Sequence, residues 1–294
     1  MKGIEETTMS GPLDEKYLKL LHYFKNNVVV VGYSGGVDSS VIAEIAFRSS
    51  TRMVALTASS ITVLPGEVEA ASDLANTRGW EHRVVQINEL DDDNFSSNPT
   101  NRCYYCKSGL SLLMHTIGKE IGANLLVDGT NVSEIRGHRP GAAALKENSI
   151  VSPYLLFDVN KEEIRQIARL LGLPNSEKPG LACLSSRFPY GVRITPEKLR
   201  RVGLAERYII DTYGVRTLRV RDHEGLARIE VAPEERSKLV NVTVLDDLDR
   251  KLKSFGFQYV AIDCLGYRSG SLNEGLARPE GIELEVESLQ IPSS

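Results

Sequence analysis

The sequence predicts an α/β fold: a doubly wound, mostly parallel sheet followed by a second, smaller α+β domain. Three observations carry this. Strand and helix patterns alternate through the first part of the chain, the order that builds parallel sheets. The first strand pattern, Asn27 to Tyr33, is a continuous run rich in valine, as expected of a strand buried on both faces. The alternation stops near Pro174, and hairpin signals appear beyond it.

Each element can be read in turn. After the first strand comes a Gly-rich turn and the helical stretch Val41 to Arg48. Met53 to Thr57 reads as a second strand, and Pro65 to Arg78 as a helix with proline near its start. Arg83 to Ile87 is a third strand, Lys107 to Ile121 a helix and Asn124 to Val127 a fourth strand. Ile150 to Pro153 is a possible fifth, followed by the helix Lys161 to Leu171. Residues 175–191, rich in Pro, Gly and Ser, read as a linker or active-site loop. Thr195 is the N-cap of a new helix. Two strands flank a hairpin turn at Asp222-His223-Glu224-Gly225; one helix from Pro233 to Ser254 and a strand from Gln258 to Leu265 follow. The organisation expected is an N-terminal extension (1–20), a nucleotide domain (21–174), the linker (175–191) and a small substrate or oligomerisation domain (192–294), with the tail from Leu289 frayed.

At 294 residues the chain can bury a sizeable core, and its formal net charge of −4 gives no broad basic face. Nucleic acid is therefore not the expected partner, and anions must be met locally by aimed amides and a few arginines. No apolar run is long enough to span a bilayer, and the start, MKGIEETTMSGPLDEKY, has no apolar signal core. The expected location is the cytoplasm. There, four cysteines (Cys103, Cys106, Cys183 and Cys264) are better read as metal-binding or reactive than as disulfides.

The sharpest motif is Ser34-Gly35-Gly36-Val37-Asp38-Ser39-Ser40, between the first strand and its helix. Free N–H groups at a helix N-terminus favour an anion there, and the glycines let the backbone approach a phosphate closely. Asp38 suits this place if it orients a metal ion or an amide. The GxxxxGK[ST] of a kinase-like loop is missing. The motif resembles the PP-loop of the N-type ATP pyrophosphatases, which are adenine nucleotide alpha hydrolase-like. That resemblance implies ATP, with magnesium, cleaved between its α- and β-phosphates, the acceptor oxygen becoming an adenylate. Ala58-Ser59-Ser60 after the second strand and Asp128 with Gly129-Thr130-Asn131 after the fourth also fit an ATP site at strand carboxyl ends.

Cys103 and Cys106 form a CxxC, a moderate signal open to a redox pair, half of a zinc site or chance burial. Cys183 lies in the irregular stretch between domains, where reactive groups concentrate. Cys264 shares parity with Val260 and Ile262 and reads as core. The other three could hold a four-iron, four-sulfur cluster with one iron open to an external ligand.

Together with the PP-loop, Arg102-Cys103-Tyr104-Tyr105-Cys106-Lys107, Asp128 to Asn131 and Ala182-Cys183-Leu184-Ser185-Ser186-Arg187 closely resemble the LarE family over nearly the whole chain. Those sulfur transferases make pyridinium-3,5-bisthiocarboxylic acid mononucleotide, the precursor of the nickel-pincer nucleotide. The resemblance implies that ATP adenylates a carboxylate of a pyridinium mononucleotide and that sulfur displaces AMP, with Cys183 the sulfur-bearing residue. Some members sacrifice that cysteine to dehydroalanine; others carry two more cysteines and relay sulfur through a cluster, the type that Cys103 and Cys106 suggest. The resemblance also implies a homo-oligomer, and leaves the sulfur donor unnamed.

On Leu218-Arg219-Val220-Arg221 the apolar residues face one way and the arginines the other, while Arg228 and Glu230 alternate similarly across the hairpin. Guanidinium forks suit phosphate or carboxylate, but a solvated polar face fits the pattern equally. The resemblance favours Arg219 and Arg221 as substrate-phosphate ligands, with Glu230 beside them and Arg187 a weaker candidate. Two other functions use parts of this pattern. A tRNA thiolase would need a basic surface that the composition lacks, and a non-catalytic nucleotide-binding module with a metal knot would leave Cys183 and the arginines without a role.

Overall fold

The computed structural model describes residues 12–134, 140–180, 182–268 and 270–274. Helix α1 (Pro12–Phe24) leads into strand β1 (Val28–Gly32), helix α2 (Val37–Ser49), strand β2 (Arg52–Ser59), helix α3 (Glu67–Arg78) and strand β3 (Glu81–Gln86). A short α4 (Asp93–Ser96), the long α5 (Arg102–Ile121) and strand β4 (Leu125–Val127) follow. The order of the four-stranded sheet is β3-β2-β1-β4, and every pairing is parallel.

The valine run of β1 explains why this strand is central. Val29 and Val31 enter the core cluster on one face, where α1, α2 and the later helix Lys161–Leu170 pack, while Val30 enters the cluster on the other with Met114 and Ile117 of α5. Part of the segment expected to be an N-terminal extension is thereby core: Tyr17 and Leu20 of α1 are buried in it. The possible fifth strand is reduced to one bridge, Val127 to Val151, because Pro153 starts a helical turn, α7 (Pro153–Leu156). Before it lies α6 (Pro140–Glu147), and after it α8 (Lys161–Leu170), whose Asn160 and Glu163 form a capping box.

Beyond the linker, α9 (Pro196–Tyr213) starts at Thr195, whose hydroxyl accepts from the Lys198 N–H at 3.3 Å. Strands β5 (Leu218–His223) and β6 (Leu226–Val231) pair antiparallel across Glu224 and Gly225, both with positive φ, the conformation a two-residue hairpin turn needs. Strand β7 (Tyr259–Ile262) joins β6 in parallel.

Two expectations here are corrected. The single helix from Pro233 to Ser254 is a short 3₁₀ turn (Pro233–Lys238) and a separate α10 (Val242–Ser254), because Asn241 is extended and caps the second through the Val244 N–H. Cys264 is exposed rather than core: the Asp263 carboxylate accepts the Leu265 and Gly266 N–H groups, turning the chain just after β7, so the parity with Val260 and Ile262 ends there. No helix among the described residues is long and apolar enough to cross a membrane. The tail from Leu289 lies outside the described residues.

Candidate active site

The loop after β1 is built to leave amides free. Gly36 is the N-cap of α2 and offers no side chain to cap it, so the N-cap residue leaves the first N–H groups of the helix to other partners. The serines tie the loop to itself: Ser39 Oγ accepts the Ser34 N–H at 3.1 Å, and the Ser39 and Ser40 hydroxyls donate to the Gly36 carbonyl. Gly35 has φ +74°, and a Cβ there would lie 2.8 Å from Ala71 Cβ, so α3 presses on the loop. Gly129 packs as closely from β4: its Cβ would lie 2.9 Å from the Ser39 nitrogen. Asp38 is oriented rather than left against a phosphate, taking a bond from Asn131 Nδ2 at 3.0 Å and an ion pair with Lys161. Tyr154, fully buried, donates to the Asp38 carbonyl at 2.9 Å.

A cleft of about 370 Å³ opens at the carboxyl ends of β1, β2 and β4. Ser34, Gly36, Asp38 and Ser39 line it, with Ala58, Gly129 and Thr130 from the neighbouring strand ends. Gly35, Val37 and Ser40 of the expected set do not line the cleft. Ser59 and Ser60 stand outside the cleft walls, Ser60 bonded to Thr62, and buried Asn131 is bonded to Asp38. Lys107 of the CxxC motif also lines the cleft, as do Glu67, Glu89 and Lys178, which the sequence did not single out. Glu89 Oε2 is buried without a hydrogen-bond partner among the described residues, while its Oε1 accepts from Thr62. These carboxylates, with Asp38 and Asp128, are hard oxygen donors of the kind that hold magnesium beside phosphates.

Cysteine approaches this cleft from two directions. The helix expected from Lys107 starts five residues earlier, at Arg102, which places Cys103 and Cys106 one turn apart on α5. Cys106 and Cys183 both line the cleft, and Cys103 does not. Burial, then the nearby Cys183 and Glu89, push the Cys106 thiol up to about 12, so it is protonated at neutral pH. Cys183 is exposed at the head of a 3₁₀ turn, Leu184–Arg187. Among the described residues no group of three or more His, Cys, Asp or Glu side chains is placed to hold a metal ion, so the three cysteines do not form a ligand set as arranged.

The arginines lie behind Cys183. Arg187 is fully buried and bidentate with Glu206, at 2.8 and 2.7 Å, and its remaining nitrogen donates to the Ala182 and Cys183 carbonyls. It positions the cysteine rather than facing the cleft. Arg219 and Arg221 are buried as well, which overturns the alternative of a solvated face. Arg221 bonds Glu230 at 2.9 Å, and buried Glu230 also pairs with Arg228. Arg219 has no carboxylate partner among the described residues: it donates to the Leu218 and Gly180 carbonyls and lies over the Tyr267 ring. Burial first, and Arg187 next, lower its pKa.

Residues 15–102 match the NAD synthase family. The chain is 42% identical to an uncharacterized protein of Synechocystis sp. over 268 residues, 90% of this chain and all of that one. It is 33% identical to the pyridinium-3,5-bisthiocarboxylic acid mononucleotide synthase of Lactiplantibacillus plantarum, over 86% of this chain and 91% of that one. A tRNA-specific 2-thiouridylase of Sphingopyxis alaskensis matches more distantly, 26% identical over 58% of this chain and 55% of its own. Anion-ready loop, cysteine-lined cleft and near full-length similarity agree: the chain belongs to the pyridinium-3,5-bisthiocarboxylic acid mononucleotide synthase (LarE) family of PP-loop enzymes.

Proposed function

We propose that this protein is an ATP-dependent sulfur transferase that adenylates a carboxylate of a pyridinium mononucleotide and converts it to a thiocarboxylate. The observation that carries this is that Cys183 lines the same cleft as the phosphate loop. A carboxylate oxygen attacks the α-phosphorus of ATP and pyrophosphate leaves, its charge met by the free amides of the loop and α2. The acyl adenylate then stands within reach of a thiol. The Cys183 sulfur attacks the acyl carbon, AMP leaves and a thioester remains. Removal of the Cys183 Cα proton with cleavage of its Cβ–S bond releases the thiocarboxylate and leaves dehydroalanine.

Arg219 supports a substrate phosphate in the second half of the site, since a buried guanidinium without a carboxylate gains most from a dianion. Arg221 and Glu230 complete that subsite in this reading. An iron–sulfur relay would use Cys103, Cys106 and Cys183 and would require those side chains to close on one centre. Iron and acid-labile sulfide in protein purified without oxygen support the relay; zinc or no metal leaves Cys183 as the sulfur source. In that case the protein loses the elements of H₂S per turnover in intact mass.

The main test measures pyrophosphate release and thiolated product on one pyridinium mononucleotide carboxylate. Gly36→Val should abolish both, because a side chain there fills the space in front of the amides. Cys183→Ala should keep pyrophosphate release and lose thiolated product. Thiolation by Cys183→Ala at the wild-type rate would remove this residue from the sulfur step.

A further inference from the structure

Among the described residues, the carboxylates lining the cleft (Asp38, Glu67, Glu89 and Asp128) outnumber the lysines that line it, Lys107 and Lys178. That is a poor site for a polyanion unless a cation can be freed for it. Lys178 is placed to be freed in this way. Its side chain is 23% exposed, and its ammonium pairs at 2.5 Å with the carboxylate of Glu67, a side chain 14% exposed. Glu67 opens α3, the helix that presses on Gly35, and the Glu67 carbonyl itself would lie 3.7 Å from a Gly35 Cβ. Three residues before the lysine, Asn175 donates to the Gly35 carbonyl at 3.0 Å and to Ser40 Oγ at 2.8 Å. Two independent tethers thus hold Lys178 at the phosphate loop. Lys107 meets the cleft from α5, 3.9 Å from Asp128 at the end of β4.

We propose that Lys178 is a pyrophosphate ligand held in reserve by Glu67, exchanging that carboxylate for the β- and γ-phosphates when nucleotide binds. The inference rests on the phosphate-loop reading above and adds a side-chain cation from the linker to it. The exchange swaps one anion for another, so the ammonium is never left desolvated and alone. Glu67 is then a competitor: it lowers affinity for the anion in return for keeping the lysine in place. Lys178 also lies five residues before Cys183 on the same linker, so it brings the sulfur-bearing segment into contact with the leaving group of the adenylation step.

The two members of the pair should respond in opposite directions, which a merely structural ion pair would not do. Binding of magnesium pyrophosphate and of AMP to the full chain is measured by titration calorimetry. Lys178→Ala should weaken pyrophosphate by roughly ten- to a hundredfold, the range of one charge-assisted contact, with AMP changed less than about twofold. Lys178→Arg should retain most of the pyrophosphate affinity, and Glu67→Gln should tighten it. Wild-type pyrophosphate affinity in Lys178→Ala, or weaker binding in Glu67→Gln, overturns the proposal. Gly36→Val separates the two levels. If it loses pyrophosphate while Lys178→Ala keeps it, the phosphate loop stands and the lysine's role falls. If Gly36→Val binds pyrophosphate like the wild type, both fall.

Discussion

At the scale of single residues, the buried charges decide how Cys183 is presented. Arg187 uses two nitrogens on Glu206 and the third on the carbonyls of Ala182 and Cys183, while Glu206 Oε1 also accepts the Val220 N–H at 2.8 Å. One side chain thus fixes the cysteine's backbone to α9 and β5. Truncating one partner of a buried pair leaves the other charged and unsolvated. Arg187→Ala should therefore cost about 3–5 kcal/mol in urea unfolding. In the folded fraction, sulfur transfer should fall further than pyrophosphate release, because the phosphate loop does not depend on this pair. Equal losses in the two half-reactions would show that Arg187 only holds the fold. Arg187→Lys should not rescue transfer, since an ammonium cannot span both Glu206 oxygens and the carbonyls together.

At the scale of elements, Glu44 of α2 joins three segments that the sequence keeps far apart. It accepts from Arg48 at 2.8 Å, from Arg78 at the end of α3, and from the Trp80 indole at 3.0 Å, while Arg78 also donates to the Leu171 carbonyl after α8. Burial alone would raise this carboxyl; the bonds from Arg78 and Arg48 outweigh it and hold its pKa below the ordinary 4.5. A lowered folded-state value means stability fully present above the ordinary value and lost as pH falls through the lowered one. Glu44→Ala should cost about 3–5 kcal/mol at neutral pH, and the gap to the wild type should narrow in acid; an equal gap at both pH values would show that Glu44 contributes by packing alone. Which elements form was legible wherever the signal is local: the valines of β1, the phosphate loop, Thr195 as a cap, the hairpin at Glu224 and Gly225. What was not legible is partnership at a distance. Parity placed Arg219 and Arg221 on one face of β5 but could not say that the face is covered. Lys178 sits in an irregular stretch, and its partner Glu67 is 111 positions away. The parity argument for Cys264 failed because one carboxylate, Asp263, ends the strand.

At the scale of the whole molecule, the linker is not a hinge. Leu184 and Phe188 belong to the core of the small sheet, and the same apolar cluster takes in Leu64 and Phe95 from the nucleotide half, with Tyr105 and Cys106 of α5 packed against it. Polar ties reinforce it: Asn98 donates to the Pro189 carbonyl at 2.8 Å, and Arg102 to the Ser185 carbonyl at 2.9 Å. Cys183 is thus bounded by a core that belongs to both halves, and its distance from the phosphate loop is set by packing rather than by diffusion of a tether. Two sheets joined this way should not melt separately. Calorimetry should give one transition whose van't Hoff and calorimetric enthalpies agree, the signature of a single cooperative unit. Phe188→Ala, which empties a fully buried ring site in the linker, should lower that one transition by about 3–5 kcal/mol and leave it single. Two resolved transitions in the wild type, or a variant in which only one sheet's unfolding moves, would show that the halves are independent and that Cys183 reaches the adenylate by domain motion.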